Sequence, residues 1–60
     1  MRVYILVVYE RVEYGVSIEI QGVYKSKDSA VLDGITLVDA VESITDYYID
    51  ELEVQEWRRS

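Results

Sequence analysis

Two hydrophobic rhythms run along this chain, and the change between them divides it. From Arg2 to Val12 the run Val3, Tyr4, Ile5, Leu6, Val7, Val8, Tyr9 is β-branched and aromatic with no polar alternate. That is the pattern of a strand covered on both faces, and so central in its sheet. Glu13-Tyr14-Gly15 follows, where a glycine free to take positive φ lets the chain reverse. The next run alternates, with Val16, Ile18 and Ile20 on one side and Ser17, Glu19 and Gln21 on the other. It predicts a second strand with one buried and one wet face. Gly22 marks a bulge before Val23 and Tyr24.

The alternation ends at Lys25, Ser26, Lys27 and Asp28. Ser26 suits a helix N-cap, and Asp28 is well placed for the positive pole of the first turn. Asp33-Gly34 weakens this helix in its middle, and Thr36 followed by Asp39 resembles a second, imperfect N-cap. The pattern predicts either one kinked helix or a short turn leading into a second. In the second piece Leu37, Val41 and Ile44 recur at helical spacing, a core stripe widened by Val38 and Ala40. From Tyr47 to Trp57 strand composition returns, but Ile49 has the opposite parity from Leu52 and Val54. Either a bulge at Asp50-Glu51 repairs the register, or both faces are partly covered. The tail Arg58-Arg59-Ser60 is expected to fray.

Assembled, these elements predict an α+β fold of the ββαβ type. A three-stranded antiparallel sheet in the order 2-1-3 carries one helical layer, whole or broken at Gly34. A hairpin joins the first two strands, and a crossover brings the third to the other side of the first. One helix covers one sheet face, while the first strand is apolar on both. The uncovered face or an edge strand is therefore expected to be the interface of a homodimer.

Several segments resemble short acidic proteins of phages and prophages. The matching pieces are Val3-Tyr4, then Gly22-Val23-Tyr24-Lys25-Ser26 with Ala30, and finally Tyr48-Ile49-Asp50-Glu51. The resemblance implies the same ββαβ fold and a phage setting, and brings no activity or functional residue with it. This chain departs from the pattern at Asp33-Gly34, where the helix would otherwise run on.

Length and composition narrow the function. Sixty residues, half of them hydrophobic, are expected to form one globular domain with a thin core. There is no Cys and no His, so thiolate metal sites, disulfides, thiol nucleophiles and the usual near-neutral acid/base group are all missing. A catalytic role is not expected, nor a cofactor. The run Val3 to Tyr9 is too short for a signal peptide or a membrane span, and a cytoplasmic protein is expected. Asp50, Glu51, Glu53 and Glu56 lack the turn that a calcium loop needs.

Charge supplies the candidate site. The formal net charge is −6, and the cations Arg2, Arg11, Lys25, Lys27, Arg58 and Arg59 are scattered, so direct nucleic-acid binding is disfavoured. Between Asp28 and Glu56 there are nine carboxylates and no Lys or Arg, where ordinary surfaces intersperse both signs. Read as helix, Asp39, Glu42 and Asp46 form a row opposite the apolar stripe, and Asp50, Glu51, Glu53 and Glu56 follow. These seven residues are the candidate partner-binding set. They would imitate a phosphate backbone on the basic surface of a DNA-binding host protein, such as a nucleoid-associated protein, a repair or restriction enzyme, or RNA polymerase. The plain alternative is a solvated face that keeps a small protein soluble. A rival binding mode is an adaptor that uses strand addition or its aromatic residues Tyr9, Tyr14, Tyr24, Tyr47, Tyr48 and Trp57.

Overall fold

A computed structural model describes residues 1–55; Glu56, Trp57 and the Arg58-Arg59-Ser60 tail lie outside the described residues. The elements are β1 (Arg2–Val12), β2 (Gly15–Tyr24), α1 (Lys27–Ala40) and β3 (Ile44–Glu53). The strands form one antiparallel sheet in the order β2-β1-β3. This is the ββαβ fold that the two rhythms and the topology rules predict.

Each boundary has a local cause. Gly15, at φ 144°, closes the β1–β2 hairpin in a conformation that L side chains rarely adopt. Leu6 pairs with Gly22 but Val7 pairs with Ile20, so Gln21 is the extra residue of a bulge beside Gly22. Ser26 caps α1, its Oγ accepting from the Ser29 amide at 3.4 Å. Val41 ends the helix, its amide donating to the Leu37 carbonyl at 2.9 Å.

At the centre of the chain the structure decides between two alternatives and corrects two further expectations. First, of a helical layer whole or broken at Gly34, α1 is the whole one, a single uninterrupted helix. Gly34 is buried, and a Cβ there would stand 2.6 Å from Cδ2 of Tyr47. The glycine is thus the point of closest approach between helix and sheet, where only a hydrogen fits. Second, Thr36 does not start a helix, because its hydroxyl donates to the Leu32 carbonyl at 2.8 Å within the same one. Third, the helix stops at Ala40, and Ile44 begins a strand. Ile44 is still a core residue, but it reaches the core from β3, while Ala40 and Val41 are exposed. The register shift on the β3 side falls between Tyr9 and Glu10, leaving Thr45 as the extra residue, and Asp50-Glu51 pair regularly. Ile49 pairs with Leu6 and Leu52 with Val3, so their opposite parity means that β3 carries apolar residues on both faces.

The register sorts the sheet into two faces, because residues directly opposite each other share a side. On the helix side Leu6 and Val8 are completely enclosed and, with Ile44, form the core, packed by Tyr24, Leu37, Val38, Tyr47 and Ile49. The other face has three main rows: Ile20–Val7–Tyr48, Ile18–Tyr9–Asp46 and Val23–Ile5–Asp50. Val16 beside Arg11 and Val3 beside Leu52 close its ends. Among the described residues no element covers this face. The apolar side of β2 therefore points away from the helix, and Val16, Ile18, Ile20 and Val23 are 60–70% exposed. The alternation in β2 reports its two faces correctly, but the side expected to be buried is the one left open.

Candidate functional site

The topology gives the molecule two chemically different ends. One end holds the start of β1, the end of β2, the start of α1 and the end of β3. The other holds the hairpin turn, the end of α1 and the start of β3. A direct contact ties the second end together: the Ser43 carbonyl accepts from the Arg11 amide at 2.7 Å, and the Ser43 hydroxyl donates to Glu10 Oε2 at 2.8 Å.

At the first end the acids are compensated. Arg2 Nη1 lies 3.0 Å from Glu51 Oε2, and its Nε donates to Glu53 Oε2 at 3.3 Å. The terminal ammonium of Met1 lies 3.4 Å from Glu53 Oε1. The hydrogen bond from that ammonium, then its charge, then the bond from Arg2 hold the Glu53 carboxyl below its ordinary range. Its two basic partners thus already engage Glu53. Lys25 and Lys27 belong to the same end.

The second end is different. Glu10 and Glu13 arrive at the close of β1, Asp39 in the last turn of α1, Glu42 in the following turn, and Asp46 opposite Tyr9. Among the described residues, Arg11 is the cation that accompanies these five carboxylates. The negative pole of α1 points here as well, and its last turn carries no basic residue. Asp39 thus stands where a lysine would be favoured.

The seven sequence-predicted residues are accordingly dispersed. Asp39, Glu42 and Asp46 do share one end, but as helix, turn and strand residues, so the helical row of three does not form. The turn at Glu42-Ser43 ends that periodicity. Asp46 is partly committed, its Oδ1 accepting from the Tyr47 amide at 2.8 Å along the open edge of β3. Asp50 lies on the uncovered sheet face, opposite Ile5. Glu51 and Glu53 point to the helix side and are held by Arg2; Glu56 is outside the described residues. Glu10 and Glu13 were missed because they stand fifteen or more positions before the acidic run that starts at Asp28. The 2-1-3 order is the signal that finds them, since it brings the end of β1 beside the start of β3.

Among the described residues no group of three acidic, His or Cys side chains is arranged to hold a metal, and no helix is long and apolar enough to cross a membrane. The chain belongs to a family described as Domain of unknown function (DUF7336), which matches residues 1–59. No curated protein and no solved structure matches it.

Proposed function

We propose that this protein works by binding, without catalysis, and that its acidic end docks on the basic surface of another protein at a site that otherwise receives nucleic-acid phosphates. One observation carries the reading: the topology puts Glu10, Glu13, Asp39, Glu42 and Asp46 at the end of the molecule to which the negative pole of α1 points, accompanied among the described residues by Arg11 alone. A field of that sign attracts Lys- and Arg-rich grooves, speeds encounter with them and repels nucleic acid itself. Asp50 extends the acidic surface along β3, whereas Glu51 and Glu53 are already paired with Arg2 and act in folding. The resemblance to phage and prophage proteins supports a host protein as the target and the host cytoplasm as the setting.

A second reading draws on β2, which pairs with β1 on one side and among the described residues has no strand along its other backbone edge. Such an edge can accept a strand from a partner. The edge of β3 is guarded against that by Asp46, Asp50, Glu51 and Glu53. Salt separates the two modes. The tagged protein, exposed to bacterial lysate and washed in parallel at low and high salt, is expected to hold a nucleic-acid-binding protein at low salt and release it at high salt. A partner that withstands high salt would favour strand addition and displace the first reading.

A further inference from the structure

The largest unexplained feature is the uncovered sheet face, and we infer that a second copy of this chain covers it, sheet against sheet. Val3, Ile5, Val7 and Tyr9 of β1 and Val16, Ile18, Ile20 and Val23 of β2 form a continuous apolar surface. Val7 is already only 5% exposed, and the Tyr9 and Tyr48 rings meet at 5.8 Å, so the centre of the face is closed over by its own side chains while those around it stay exposed. Around it stand Tyr48 and Leu52, 43% and 45% exposed.

Three arguments identify the occupant. The first is need: the buried hydrophobic core comprises Leu6, Val7, Val8, Ala30 and Ile44 among the described residues, too little to offset the ordering of a chain this short. A cover required by every folded molecule must be present wherever the molecule is, and its own copies meet that condition.

The second is charge. Two chains of net charge −6 repel over most of their surfaces, but the β1–β2 part of this face carries no carboxylate. Its charged members, Asp46 and Asp50 on β3 and Arg11 at one end, lie at the margin, where a polar rim belongs.

The third is size. The strands have 11, 10 and 10 residues. At roughly 3.3 Å per residue and 4.8 Å between strands they project on the order of 450 Å². Two such faces give a flat projection of about 900 Å², and the relief of the side chains raises the accessible area removed toward the roughly 1,000 Å² that a specific interface must clear.

The test is the mass in solution of the full chain and of Ile18→Lys and Ile20→Lys, with Leu32→Lys on the exposed helix surface as the control. The wild type and the control should be dimers of about 14 kDa, twice 7.0 kDa, and both β2 variants should be monomers of half that mass. Should the β2 variants fail to fold, the thermal midpoint of the wild type decides, rising with protein concentration if folding is coupled to pairing. A monomeric wild type with a concentration-independent midpoint would overturn the inference and leave the face to a different partner. Dimers that survive both lysines would overturn it too, placing the contact at an edge.

Discussion

At Gly34 a single hydrogen decides how closely helix and sheet can approach. Alanine normally favours a helix interior over glycine by about 1 kcal/mol. Here its methyl would enter the space of the Tyr47 ring, within 2.6–2.9 Å of three ring atoms. Those atoms lie at the base and near side of the ring, which packs on the core, so the ring cannot simply swing aside. Gly34→Ala should therefore destabilise by roughly 1–2 kcal/mol, the overpacking cost exceeding the propensity gain. In a Tyr47→Ala background the same substitution should be neutral or stabilising, a coupling that a double-mutant denaturation cycle would read directly. Tyr24 makes a separate test by titration. Its hydroxyl donates to Asp33 Oδ2 at 2.7 Å, and that bond, then burial and the aspartate charge, raise the phenol above its ordinary value of 10.0. The stability this pair supplies is fully present below pH 10 and is lost as pH rises through the raised value. Tyr24→Phe should remove a tyrosinate absorbance step lying above the ordinary range, and with it that part of the alkaline loss of stability.

Elements are set by a few punctuating residues, and these were the most legible part of the sequence. Ser26 before Asp28 started the helix where a capping hydroxyl and a first-turn acid belong, and Ser26→Ala should cost about 1 kcal/mol in thermal or denaturant unfolding. Gly15 closed the hairpin as expected. What hid was long-range. Asp33-Gly34 looks like a helix breaker from within the chain, and only the Tyr47 ring of a later strand shows why the glycine is there. Leu37, Val41 and Ile44 keep helical spacing across a real boundary, because a strand that enters the same core also needs an apolar residue at its start. The three acids read as one helical row fell on helix, turn and strand for the same reason. Asp39 bears directly on function. It lies at the negative pole of α1 with no basic residue in its turn, so Asp39→Lys should raise stability by about 0.3–1 kcal/mol through the helix dipole. A residue that weakens its own helix is explained if its charge serves a partner, and unfolding curves of the variant would show whether the cost exists.

On the scale of the whole molecule, the fold separates two surfaces that the sequence interleaves. The sheet order gathers carboxylates at one end and leaves Arg2 and the terminal ammonium to neutralise those at the other. The single helix covers one face and leaves the apolar side of β2 in the open. The sequence pattern showed that β2 had an apolar side but could not show which way it faced, since parity is defined only relative to a partner strand. A pair of molecules joined through that face would present two acidic ends, one per copy, on the outside. The most direct test of the binding account is the affinity of the captured partner for Asp39→Lys/Glu42→Lys against Glu51→Gln/Glu53→Gln, at low salt and with circular dichroism as the check on folding. The account predicts that the first variant loses roughly tenfold or more in affinity, about 1.4 kcal/mol, while the second binds like the wild type. Undiminished binding by a folded Asp39→Lys/Glu42→Lys protein would contradict it and return the acidic end to a solubilising role.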